Sequence, residues 1–171
     1  MNRIHIIGGK NHGKTTLIVE LVTALTRQGL RVGTIKHTHH QHELDTPGKD
    51  SHRHREAGAD VVGIVTPSAN CVFWNPEIDQ EEKNATSKDE RKYARFASMF
   101  ESCDLVIVEG DSQTEATKIE VWRSAVGTPP LAAADHSIHA IVTDDRPNEA
   151  LSIPLWPRSD VEAIAQTLAN L

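Results

Sequence analysis

Short apolar runs alternate with amphipathic stretches along most of the chain. Arg3 to Ile7 is a compact apolar run that ends at Gly8-Gly9, the pattern of a buried strand entering a tight turn. From Thr15 to Gln28, Leu17, Ile18, Leu21, Val22 and Leu25 recur at helical spacing, and Gly29 stands where a helix stop belongs. Arg31 to Lys36 carries Val32, Thr34 and Ile35 and predicts a second strand, so residues 3–36 read as strand, helix, strand. Asp50-Ser51 can cap a short helix ending near Ala57-Gly58. Val61–Thr66 and Asn70–Trp74 are β-like runs joined by Pro67-Ser68-Ala69, a predicted hairpin. Lys88–Ser102 places Tyr93, Phe96, Ala97 and Phe100 on one helical face. Further strands are expected at Asp104–Val108, Lys118–Trp122 and Ile138–Thr143, and a closing helix at Asp160–Leu171. This alternation predicts an α/β fold: a mostly parallel sheet flanked by helices, with an added β-hairpin. One domain spanning residues 1–171 is expected, with the polar, acidic stretch 75–87 as a mobile insertion.

Composition narrows the function. Lys and Arg number 18 against 24 Asp and Glu, a net charge of −6, which argues against a general nucleic-acid binder. No apolar run reaches the ~20 residues of a membrane span. The first residues are broken by glycine too early for a signal peptide, so a cytoplasmic protein is expected. Cys71 and Cys103 form no CxxC pair, which leaves a zinc–thiolate site without its usual framework. Histidine is over-represented: ten copies, six of them between His37 and His54.

The strongest chemical signal is Gly8-Gly9-Lys10-Asn11-His12-Gly13-Lys14-Thr15, which satisfies G-x-x-x-x-G-K-[ST] at every fixed position. Gly8, Gly9, Asn11, His12, Gly13, Lys14, Thr15 and Thr16 are the expected nucleotide-binding residues. Glycines let backbone N–H groups approach phosphate oxygens, and the N-terminus of the following helix favours an anion. Lys14 would neutralise the β and γ phosphates, and the Thr15 hydroxyl would ligate Mg²⁺. The chemistry also needs a carboxylate on the metal side. Glu109, after the apolar run Leu105–Val108, is placed where ligands gather in parallel sheets, at a strand's carboxyl end. Asp45 and Asp50 compete with it for the metal. Lys14, Glu109 and Asp45 are the candidate catalytic residues. The plainer account of Glu109 is an acid facing solvent at a strand end.

The P-loop is followed by Lys36-His37-Thr38-His39-His40, by Asp45-Thr46-Pro47-Gly48-Lys49-Asp50-Ser51 with Arg53, and by Val108-Glu109-Gly110. In this combination and order the motifs closely resemble those of the MobB family, adapter proteins of molybdopterin-guanine dinucleotide biosynthesis. The resemblance covers residues 4 to about 123 well and the remainder more loosely. It implies a P-loop NTPase fold, a homodimer, binding of GTP with Mg²⁺ and weak hydrolysis. It further implies assistance to the MobA nucleotidyltransferase and contact with molybdenum-cofactor proteins, with molybdopterin or its guanine dinucleotide form as a possible bound ligand. By motif, His39, His40, Asp45, Lys49, Asp50 and Arg53 carry over as the signature loop, and Glu109-Gly110 as the metal-side strand end. The family often has an aromatic residue and a lysine next; this chain has Asp111-Ser112.

Several readings stay open at this level. The histidine loop can touch phosphate or pterin, be merely solvated, or, through His37, His39, His40 and His42, hold Zn²⁺ or Ni²⁺ as in a metallochaperone GTPase. A small-molecule kinase using Glu109 or Asp45 as base is a further alternative. No N-K-x-D motif is present; Asp145, and after it Asp144, can accept from a guanine edge or simply form an acidic turn before Pro147. Spacing alone leaves ATP open. No arginine finger or positioned glutamine is evident beside the loop, which fits slow turnover. The hairpin residues Val72, Phe73 and Trp74 suggest a pairing edge for a homodimer.

Overall fold

The structure is a computed structural model that describes residues 1–40, 43–75 and 88–171. His42 and residues 76–87 of the expected insertion lie outside the described residues. The chain forms two compact units, one made of Met1–Thr38 and Met99–Leu171, the other of His39–Ser98.

The first unit is built on a six-stranded sheet. Its strands are β1 (Arg3–Ile7), β2 (Val32–Lys36), β5 (Leu105–Glu109), β6 (Lys118–Val121), β7 (Ile138–Val142) and β8 (Leu155–Trp156), in the order β2-β5-β1-β6-β7-β8. Every neighbouring pair is parallel. The helix α1 (Lys14–Arg27) packs with α4 (Val161–Ala169) on one face. Its apolar stripe Leu17, Leu21 and Leu25 is fully buried, a gain of roughly 1.5–3 kcal/mol for each side chain. The alternation of β1 sends Ile4 and Ile6 into that core beside Ile107 and Ile119. Ile7 faces the other way, into a second cluster with Trp122, Ala132, Ile138 and Ile141. The same second face carries polar groups. His5 is fully buried, with Nδ1 3.3 Å from the Gly110 carbonyl. Buried Lys118 donates to Asp135 at 2.6 Å, and this holds the Asp135 carboxyl at about 2.

The second unit contains α2 (Asp50–Glu56), the antiparallel hairpin β3 (Val61–Val65) and β4 (Asn70–Trp74), and most of α3 (Lys88–Met99). The predicted hairpin is present and makes a two-stranded sheet of its own. Arg55 of α2 lies over the Phe73 ring at 5.2 Å and donates twice to Glu43, at 2.8 and 2.9 Å. One local expectation differs. The cap of α2 is Lys49, with no side-chain hydrogen bond; the helix begins at Asp50, so Ser51 lies inside the first turn, where its Oγ donates to Asp45 Oδ1 at 2.8 Å. β8 and the 3₁₀ turns at Ser124–Val126 and Leu131–Ala133 are further elements that the apolar pattern does not announce. Among the described residues no helix is long and apolar enough to cross a membrane.

Candidate functional site

The loop between β1 and α1 turns where the sequence requires it. Gly8 has φ +139°, and a Cβ there would lie 2.4 Å from the backbone oxygen of Val121. Only a residue without a side chain allows β1 to leave the sheet so close to β6. Gly13 has φ +94° and sits at the start of α1, which no side chain caps. The first N–H groups of α1 therefore keep their hydrogen-bonding capacity for an anion, and the helix dipole favours one there.

Lys14 Nζ donates to the carbonyls of Gly8 at 2.9 Å and Gly9 at 2.8 Å, so the ammonium is folded back across the loop. Burial lowers its pKa, Glu109 opposes that, and Lys36 adds to it. Thr15 Oγ1 donates to Glu109 Oε1 at 2.8 Å. Lys36, at the end of β2, donates to the same oxygen at 2.9 Å. Burial acts to raise the Glu109 pKa, but the hydrogen bonds from Lys36 and Thr15 and the charges of Lys36 and Lys14 outweigh it and hold the carboxyl below its usual range. The three strands explain the meeting. β1, β5 and β2 are parallel neighbours, so the loop, Glu109 and Lys36 all emerge at one edge.

A hydroxyl and a carboxylate in hydrogen-bond contact are hard oxygen donors. They suit Mg²⁺, which binds through one or two such groups and completes its shell with water and substrate phosphates. Thr15 and Glu109 would hold the ion, and it would supply charge neutralisation for the phosphates. Among the described residues no three His, Cys, Asp or Glu side chains gather into a metal-holding group.

The remaining candidates fall in two places. In the first unit, Asn11 is exposed with φ +67°, and Thr16 is exposed near the start of α1. His12 turns inward: it is 2% exposed, with Nε2 3.0 Å from Thr128 Oγ1 and Nδ1 accepting from the Arg123 N–H at 3.0 Å. That bond fixes the proton on Nε2. Burial, Lys14 and Arg123 all lower its pKa and keep the ring neutral. What His12 offers a ligand is its backbone. Asp145 Oδ2 accepts from the Ser124 N–H at 2.8 Å, and Asp144 Oδ1 accepts from Ser159 N and Oγ at 3.0 Å.

In the second unit, Asp45 accepts from Thr46 N–H and from Ser51, with Arg55 Nε 3.9 Å from its other oxygen. Asp50 opens α2, and Lys49, Arg53, His39 and His40 are exposed. One contributor escapes the sequence: Arg123 follows β6 without any motif, whereas Lys36 opens the Lys36–His40 run and what the sequence does not show is its pairing with Glu109. Their partners, Glu109 and Asn11, are 73 and 112 positions away.

With this geometry in view, comparison with known proteins is specific. The family model described as molybdopterin guanine dinucleotide synthesis protein B, MobB, matches residues 3–144. The Escherichia coli (strain K12) molybdopterin-guanine dinucleotide biosynthesis adapter protein is 35% identical over 154 residues, covering 90% of this chain and 83% of that protein. The adapter protein of Haemophilus influenzae is 36% identical over 141 residues, covering 81% and 72%. The crystal structure of a MobB homolog from Bacillus stearothermophilus aligns over 99% of this chain and 97% of that one, with a TM-score of 0.66 and 25% identity. A glycine loop on an all-parallel sheet, with these relatives across its length, establishes that the chain belongs to the MobB family.

Proposed function

We propose that this protein is a GTP-binding adapter of molybdopterin-guanine dinucleotide biosynthesis, in which Lys14, Thr15 and Glu109 bind the phosphates of GTP and Mg²⁺. The observation that carries the reading is the Thr15–Glu109 hydrogen bond of 2.8 Å directly beside Lys14. Adapter chemistry is named for the Escherichia coli and Haemophilus influenzae relatives, and their alignments cover most of this chain. Hydrolysis in this reading is weak. Glu109 is held by Lys36 and Thr15 as an ionised metal-side ligand, which leaves it poorly suited to take a proton from water.

The exposed His39, His40, Lys49 and Arg53 offer donors and charge to the phosphate of molybdopterin or its guanine dinucleotide form. Asp45, tied to Ser51, then serves to hold the signature loop in shape. Partners in this reading are a second copy of the chain and a MobA-type nucleotidyltransferase, acting in the cytoplasm. Of the expected Val72, Phe73 and Trp74, the last two are half-buried, under Arg55 and against Phe96, so exposed Val72 with Val61 and Val65 is the apolar surface for the homodimer.

One set of titrations tests these points. Wild-type protein should bind GTP more tightly with Mg²⁺ than with EDTA. Glu109→Gln should abolish that difference, costing roughly tenfold in affinity, about 1.4 kcal/mol. A Mg²⁺ effect that survives in the variant removes Glu109 from the site. Molybdopterin affinity that is unchanged in a His39→Ala, His40→Ala double variant removes the proposed pterin contact. Sedimentation of the same wild-type sample at micromolar concentration should give twice the chain mass; a monomer rejects the hairpin interface.

A further inference from the structure

The sheet order assigns sides to the nucleotide site. β1 and its loop lie between β5 and β6. On the β5 side stand Glu109 and Lys36, with Lys36 and Thr15 donating to the same oxygen of Glu109. On the β6 side stands Arg123, two residues past the end of β6, and beyond it Asp145, past the end of β7. With terminal phosphates and metal on the β5 side, the β6 side is the side left for the sugar and base.

Arg123 is fastened to the loop by two hydrogen bonds on that side, and its guanidinium lies over Gly13. Its N–H donates to His12 Nδ1 at 3.0 Å, its Nη2 donates to the Asn11 carbonyl, and its guanidinium carbon lies 3.9 Å from where a Cβ on Gly13 would be. The next residue, Ser124, donates its N–H to Asp145 at 2.8 Å, so the ends of β6 and β7 are linked. The side chain nevertheless remains exposed. A guanidinium has five N–H donors and two flat faces; the Asn11 carbonyl is its one acceptor among the described residues. A cationic plane held rigidly at the loop's edge and open to solvent is a platform for an aromatic ring.

We propose that Arg123 is the nucleoside-binding residue of this site, laying its guanidinium plane against the purine of the bound nucleotide while the Asn11 carbonyl holds the plane in place. His12 is then the positioning residue that sets the Arg123 backbone. The proposal rests on the nucleotide reading above and adds which part of the ligand this side of the sheet receives.

The test uses the full chain with Mg²⁺ and three ligands: GTP, GDP and inorganic triphosphate, which carries the phosphates without a nucleoside. Arg123→Ala should weaken GTP and GDP by the same factor, about tenfold, and leave triphosphate unchanged. Arg123→Lys should recover less than half of the lost free energy, because an ammonium keeps the charge and lacks the plane. The backbone N–H to His12 is retained in both variants, and matching melting curves confirm that the loop is intact. Triphosphate weakened as much as GTP would place Arg123 on the phosphates and overturn the proposal. Unchanged GTP affinity in Arg123→Ala would overturn it as well. Wild-type protein that binds neither GTP nor triphosphate would defeat the nucleotide reading itself, a result distinct from either.

Discussion

Lys14→Ala is expected to weaken GTP binding about 100-fold, ~2.7 kcal/mol, the scale of a charge-assisted hydrogen bond to phosphate. Lys14 Nζ spans Gly8 O and Gly9 O at 2.9 and 2.8 Å, so it already sits across the mouth of the loop. An arriving phosphate needs only to exchange two neutral carbonyl acceptors for charged ones. Burial lowers the pKa of this ammonium, and a bound anion would oppose that shift. The two carbonyls left behind in the variant are at a partly exposed loop and can take water, so stability should change little. Equilibrium titration with labelled GTP reads the first effect and thermal melting the second. Affinity within threefold of wild type would show that the loop is not the phosphate site.

Gly8→Ala is expected to be the most damaging single methyl group in the first unit. Two costs combine at this position. The backbone has φ +139°, outside the range alanine adopts readily, and the new Cβ would meet the Val121 backbone oxygen at 2.4 Å. Neither can relax cheaply, since Val121 is a buried residue of β6, which is paired to both β1 and β7. A destabilisation of roughly 3 kcal/mol follows, a fall of about 6–12 °C in melting temperature for a chain of this size. GTP binding should fall with it, because the loop must shift off β6. A melting temperature within about 2 °C of wild type, less than ~1 kcal/mol, would mean that the loop accommodates the methyl group and that Gly8 is not sterically required. Gly29, by contrast, has open space around its Cβ position, so only its φ of +89° resists substitution.

Much of the architecture is legible before folding because its causes are local. The β1–loop–α1 unit needs an apolar run, glycines at the turn and a 3.6-residue stripe, and residues 3–28 contain all three in order. The hairpin at Val61–Trp74 is local in the same sense. β8 is hidden because Leu155–Trp156 is a strand only by virtue of pairing with Ile141 and Val142. Two residues carry no period of their own. The cap of α2 misleads for a related reason: Ser51 has the chemistry of a cap, but the helix begins one residue before it, after Lys49, and its hydroxyl donates to Asp45 across the loop.

The site divides along the same line. The sequence alone determines that a phosphate-cradling loop exists, that it is built from Gly8 to Thr15, and that an acid at the end of an apolar strand accompanies it. These follow from residue type and near-neighbour spacing. Only the tertiary structure decides which groups share that loop. It brings Lys36 to the same oxygen of Glu109 as Thr15, turns the His12 ring inward to Thr128, and fastens Arg123 to Asn11. Those partners lie at or beyond the ends of neighbouring strands of a parallel sheet. In such a sheet, contact is set by strand order, and strand order is a property of the whole core that no short stretch of sequence encodes.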